Sequence, residues 1–150
     1  MKEKTIDYAL RATWQAVARM YNEEAGKVDS TRATGFTLLS IDPEKGTPST
    51  ALGPKMGMEA TSLSRILKSM EEKGLIERKP NPNDGRSVLI HLTDSGLEKR
   101  ELSKNAVLQF NEVVKEHVSK EKLKHFFEVT EVINELIVEK KIYNQEISTN

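Results

Sequence analysis

The apolar positions of this chain follow two periods. Between residues 5 and 25, Ile6, Leu10, Trp14, Val17 and Tyr21 recur every three or four residues, which lays them along one helical face. Ala9, Ala12, Ala16 and Met20 form a neighbouring stripe, so this helix carries more apolar surface than a single neighbour covers. Gly26 is a natural stop. A second helix, capped by Ser30 or Thr31, carries Phe36, Leu38, Leu39 and Ile41. Asp42-Pro43-Glu44-Lys45-Gly46 reads as a turn. Thr47-Pro48 then predicts a cap with proline at the first position of a short third helix ending near Met56-Gly57. Gly53-Pro54 falls inside that helix, so a kink, or a start later than Pro48, is expected.

A fourth helix is predicted from about Glu59–Thr61 to Lys73, with Leu63, Ile66, Leu67 and Met70 as its buried stripe. Thr61, Ser62, Ser64, Arg65 and Lys68 fall largely on the other side, and Gly74 ends the helix. Here the period changes to two. Leu75–Lys79 and Val88–Thr93 are predicted strands, and Pro80–Ser87 between them is too long and polar for a tight hairpin turn. Loops of that kind tend to carry function. The helical period then returns. Thr93 or Asp94 caps a long helix bearing Leu97, Leu102, Val107, Phe110, Val114 and Val118, and Ser119 opens a last one bearing Leu123, Phe126, Phe127, Val129, Ile133, Leu136 and Ile137. Asn144–Asn150 reads as a frayed tail. The fold class is therefore mainly α with a small β-hairpin wing. It places a winged helix-turn-helix block over about 31–93, with further helices over about 5–25 and 94–142, in one domain of 1–150.

The bulk numbers narrow the function classes. The chain has 150 residues, 37% hydrophobic and 31% charged, which suits one charge-rich globular domain. No apolar run approaches a membrane span, and MKEKTIDYAL lacks the apolar core of a secretion signal, so a cytoplasmic location is expected. There is no cysteine, which excludes disulfides, thiolate metal sites and thiol redox sensing. Net charge is zero, but residues 55–93 hold seven basic side chains against five acidic ones. His91, His117 and His125 have no metal-ligand spacing, adjacent pairs such as Glu71-Glu72 read as solvated helix surface, and Gly53–Gly57 lacks the spacing of a phosphate loop. No catalytic residue, metal or cofactor is expected.

What the chain does carry is a nucleic-acid pattern. The major groove of DNA admits one helix whose N-terminal side chains reach base edges. Thr61, Ser62 and Ser64 are small enough for close approach, although Thr61 or Ser62 could instead cap the helix. Arg65 and Lys68 can meet phosphates, and Arg65 can take a guanine edge bidentately. Arg86 at the loop tip can enter a narrow minor groove, where negative potential concentrates. Asp84 would repel phosphate, so its role is internal: orienting Arg86 or pairing with Arg78 or Lys79. Gly85 gives the tip backbone freedom. Trp14, Tyr8, Tyr21 and Phe36 could line a small-molecule pocket, although aromatics at helical spacing are more often core.

The run Met70–Arg78, continuing through Asn83-Asp84-Gly85-Arg86-Ser87 to His91-Leu92-Thr93-Asp94-Ser95-Gly96, resembles the MarR family of bacterial winged-helix transcription regulators. The likeness extends over nearly the whole chain. It implies an obligate homodimer of triangular outline, with the first helix and the last two interlocked about the two-fold axis. It implies double-stranded DNA as partner, read by Thr61 to Lys68 in the major groove and by a wing of Lys79, Asp84, Gly85 and Arg86, the arginine entering the minor groove. It further implies repression relieved by a small aromatic or acidic effector, for which Trp14, Tyr21 and Phe36 are the candidates. Gly85 stands where the family often has a larger basic residue, and Gly53-Pro54 where an alanine-like surface is usual. A helical protein-interaction module using a winged helix without DNA is the alternative.

Overall fold

A computed structural model describes residues 4–143 of the chain. Six helices and three strands follow one another in the order α1 (Ile6–Gly26), α2 (Arg32–Ser40), β1 (Thr47–Pro48), α3 (Ser49–Met56), α4 (Ala60–Glu72), β2 (Ile76–Pro80), β3 (Val88–Leu92), α5 (Asp94–His117) and α6 (Lys120–Val138). They fall into two compact units, residues 1–107 and 108–150. The predicted tail at 144–150 lies outside the described residues.

The core of the first unit lies within the block predicted as the winged helix. Leu38 and Ile41 from the second helix and its end, Leu52 and Met56 from α3, Leu63, Leu67 and Met70 from α4, and Leu75, Ile76 and Ile90 beside and within the sheet form one buried cluster. Met58, Ile66, Val88 and Leu92 pack against it. The spacing of these residues explains their burial: 63, 66, 67 and 70 make one stripe along α4. Burial of each such side chain contributes about 1.5–3 kcal/mol, so this block has its own driving force to fold. No residue of α1 or α6 is buried, by contrast. Ile6, Leu10 and Trp14 of α1 stay exposed, as do Phe126, Phe127, Val129 and Ile137 of α6.

The structure corrects one element. Thr47-Pro48 is not the cap and first residue of a helix. It is a two-residue strand, antiparallel to β3 with Thr47 opposite Ile90 and Pro48 opposite Leu89, in a sheet ordered β1-β3-β2. Proline is tolerated there because the strand lies at the edge. Thr47 is buried and its hydroxyl accepts the amide of Asp42 at 2.9 Å, which closes the preceding turn. Helix α3 accordingly starts at Ser49, later than Pro48, and continues through Pro54 to Met56.

Candidate nucleic-acid interface

The approach to α4 is fixed by a tight turn. Gly57 adopts a left-handed conformation (φ 65°), and Met58 donates its amide to Gly53 O at 2.9 Å. A Cβ on Gly53 would sit 3.2 Å from Met58 O, so a larger residue there would crowd this turn. Glu59 caps α4 without a side-chain hydrogen bond. Neither Thr61 nor Ser62 is therefore used as a cap, and both residues are exposed.

Down the helix the division of faces is clean. Leu63, Leu67 and Met70 are buried, while Thr61, Ser62, Ser64, Arg65 and Lys68 are exposed. Ile66 is half-buried at the margin. The exposed set carries three hydroxyls and two cations on a rod held from behind by the core. That is what a groove-reading helix requires: short donors near the duplex, and longer cationic arms that reach phosphates.

The helix exit is locked to α5. Gly74 is left-handed (φ 73°), and Leu75 donates to Met70 O at 2.9 Å. Thr93 then joins both sides of the junction. Its hydroxyl donates to Gly74 O at 2.6 Å and accepts the Gly96 amide at 3.0 Å, while its own amide donates to Leu75 O at 3.1 Å. Gly96 is buried so closely that a Cβ would lie 2.0 Å from Leu75 O. The Leu-Thr-Asp-Ser-Gly run therefore has a physical cause here, because a side chain at 96 and the strand entry at Leu75 would occupy the same space.

The wing is built on β2 and β3, paired from Ile76 opposite Leu92 to Pro80 opposite Val88. Residues 81–87 close the loop. Asp84 Oδ1 accepts the backbone amide of Arg86 at 2.9 Å. Arg78 and Lys79 have other acidic neighbours. Arg78 Nε donates to Glu71 at 3.0 Å, tying the wing base to α4, and Lys79 Nζ lies 3.9 Å from the Glu77 carboxylate. Arg86 is exposed, and its guanidinium makes no ion pair among the described residues. Gly85 lies outside the left-handed region, and a Cβ there would meet nothing within 4 Å. The tip therefore does not depend on glycine's extra freedom.

Trp14, Tyr21 and Phe36 differ in setting. Trp14 and Phe36 are exposed, and the Arg32 guanidinium covers the Trp14 ring at 5.6 Å. Tyr21 is half-buried, and loss of hydration pushes its hydroxyl pKa up from the ordinary value. None of the three lines the depression of about 290 Å³ that lies between the α1–α2 connection, the end of α4 and the start of α5. Ser30, Thr34, Ser95, Lys73, Lys99 and Asp29 line that depression. Among the described residues no group of three or more metal-ligating side chains converges, and no helix is long and apolar enough to cross a membrane.

Sequence reasoning missed Asn81 and the Arg78–Glu71 pair among the residues that hold the site. Ser87, Thr93 and Gly96 lie in the run that resembles the family, and Thr93 is read there as a cap, but without the contacts they make. The only available signal was composition, a threonine three residues before a glycine at a strand-to-helix junction.

Residues 31–88 match the model of the MarR family. The multiple antibiotic resistance protein MarR of Escherichia coli is 36% identical over 78 residues, 52% of this chain and 54% of that protein. The organic hydroperoxide resistance transcriptional regulator of Bacillus subtilis is 30% identical over 94 residues, 63% of this chain and 64% of that protein. The chain thus matches about half to two thirds of the length of these curated relatives. In fold, it superimposes with a TM-score of 0.76 on a mutant of E. coli MarR complexed with operator DNA, at 24% identity, covering 85% of this chain and 92% of that one.

Proposed function

We propose that this chain is a regulator of the MarR kind, whose family model it matches over residues 31–88: a sequence-specific DNA-binding transcription regulator, a ligand-responsive repressor that binds a pseudo-palindromic operator as a homodimer. One observation carries the reading: α4 buries Leu63, Leu67 and Met70 and leaves Thr61, Ser62, Ser64, Arg65 and Lys68 exposed on its outer face, beside a wing whose tip presents Arg86 to solvent. In this reading α4 enters the major groove. Thr61, Ser62, Ser64 and Arg65 meet base edges or phosphates, and Lys68 and Lys79 meet phosphates. Asp84 shapes the tip, which Gly85 leaves open, and the tip carries Arg86 into the minor groove. The likeness in fold to a MarR protein solved with operator DNA supports the same docking.

The homodimer accounts for the apolar residues that α1, α5 and α6 leave in water. Trp14, Leu102, Leu108, Val113, Phe126 and Phe127 are each roughly half-exposed, which a soluble monomer rarely tolerates in such number. Residues 5–25 and 94–142 are in this reading the dimerisation helices of a single functional domain. A C2 pair would set two copies of α4 about one duplex turn apart, ~10 base pairs between half-site centres. The setting is cytoplasmic, where the DNA is. A small acidic or aromatic effector would release the operator by binding one dimer geometry better than the other. The Lys73–Lys99 depression suits an acidic one.

Binding to an inverted-repeat promoter fragment, followed by fluorescence anisotropy at rising salt, tests the proposal. Phosphate-driven binding weakens steeply, with log affinity falling linearly in log salt. Absence of binding to any such fragment at low salt would overturn it. A folded monomer persisting at nanomolar concentration would overturn the dimer.

A further inference from the structure

The wing loop is held from inside by two residues to which no role has been given. Asn81 begins the loop and Ser87 ends it, and the Asn81 amide nitrogen Nδ2 donates to Ser87 Oγ across the loop at 3.0 Å. The other end of the same amide, Oδ1, accepts the backbone amide of Asn83 at 3.0 Å. The Asn81 carbonyl accepts the Asp84 amide at 3.3 Å, and the Asp84 carbonyl accepts the Ser87 amide at 3.3 Å. Asp84 Oδ1 then accepts the Arg86 amide. Ser87 is 7% exposed, whereas Pro82 to Arg86 stand in solvent.

These contacts form a chain of dependence. Arg86 is placed by Asp84, and Asp84 is placed by Asn81 through its backbone. Asn81 is pinned by the hydroxyl of Ser87, the only buried residue of the loop. Gly85 contributes no constraint, because its backbone is outside the left-handed region and its surroundings are empty. We propose that Asn81 and Ser87 form a clamp that preorganises the wing, so that Asn81 is a positioning residue for Arg86 and acts on DNA affinity through it. A tip ordered before binding loses less conformational entropy in the groove than a loop that must be ordered on contact. The inference rests on the DNA-binding reading above.

The test is a double-mutant cycle on operator affinity at fixed salt, with Asn81→Ala, Arg86→Ala and the double variant. Asn81→Ala should weaken binding about three- to tenfold, the loss expected when one hydrogen-bonded anchor goes. In the Arg86→Ala background the same change should have almost no further effect, because there is no guanidinium left to place. Ser87→Ala should repeat this pattern. Equal losses from Asn81→Ala with and without Arg86 would overturn the clamp, since Asn81 would then act independently. Unchanged affinity in both Asn81→Ala and Ser87→Ala would overturn it too. If Arg86→Ala itself leaves affinity unchanged, the wing assignment falls and takes the clamp with it. Absence of wild-type binding sinks the DNA reading instead. Circular dichroism melts of each variant show whether the fold is kept. A loss of affinity that tracks a loss of folded protein, rather than the presence of Arg86, would count against positioning.

Discussion

Gly96 and Gly85 can be given the same mutation with opposite expected results. Gly96→Ala adds a Cβ 2.0 Å from Leu75 O, 3.1 Å from Leu75 C and 3.4 Å from Leu92 Cδ2. The first is a deep overlap with backbone, which no side-chain rotation relieves. Either the first turn of α5 moves away or the strand entry does. Both movements stretch the Thr93 junction, whose bonds to Gly74 O, Leu75 O and the Gly96 amide are 2.6, 3.1 and 3.0 Å long. Overpacking of this kind costs about 1–3 kcal/mol. Weakening one or two of the junction's hydrogen bonds adds about 1 kcal/mol each. The better helix propensity of alanine returns about 1 kcal/mol. The net loss is about 1–4 kcal/mol, which for a chain of this size lowers Tm by about 2–16 °C. Gly85→Ala meets nothing within 4 Å and needs no left-handed backbone, so it should gain about 0.4–1 kcal/mol by restricting the unfolded chain. Thermal melts by circular dichroism, at one fixed protein concentration because the proposed dimer would make Tm depend on it, decide the matter. A Gly96→Ala variant melting within about 2 °C of wild type, or a Gly85→Ala variant that loses as much as Gly96→Ala, would refute the reasoning.

Two further outcomes follow from the exposed polar groups. Lys68→Ala should weaken DNA binding about equally for all sequences and reduce the salt slope by about one, with Tm unchanged; a change in preferred sequence would instead place Lys68 on base edges. Asp42 accepts the amides of Lys45 and Glu44, which hold its carboxyl pKa below the ordinary value. A lowered folded-state pKa gives stability that is present above the unfolded carboxylate pKa and lost as pH falls through the folded one. Asp42→Ala should therefore melt lower than wild type at about pH 7, and the gap should close on acidification below the ordinary carboxylate range; a gap that widens in acid would reverse the sign.

Much of this architecture was legible because the buried stripes have helical spacing. Leu63, Leu67 and Met70 gave both the axis of α4 and, by subtraction, the face that Thr61 and Lys68 occupy. β1 was not legible because two residues carry no period. Proline after threonine before a helical run is the usual pattern of a helix start, and only the pairing of Thr47 with Ile90, far along the chain, makes it a strand. Likewise Arg78 and Lys79 lie close enough to Asp84 in sequence to look like its partners. The fold turns Arg78 toward Glu71 on α4 instead.

The two glycines show where reading a sequence must stop. Both sit in polar stretches close behind an aspartate, and the sequence alone suggests conformational freedom for Gly85, while Gly96 only closes a run that resembles a family's, with no physical reason attached. The structure reverses that assignment. At 85 a Cβ would meet nothing within 4 Å, so the space beside Arg86 is open. At 96 the missing Cβ is what lets α5 begin against Leu75, where Thr93 bonds both to the exit of α4 at Gly74 and to the first turn of α5 at Gly96. Any motion of the start of α5 that reaches the end of α4 has a path through Thr93. Lys73, just after α4, and Lys99, within α5, line one depression that borders the elements Thr93 joins.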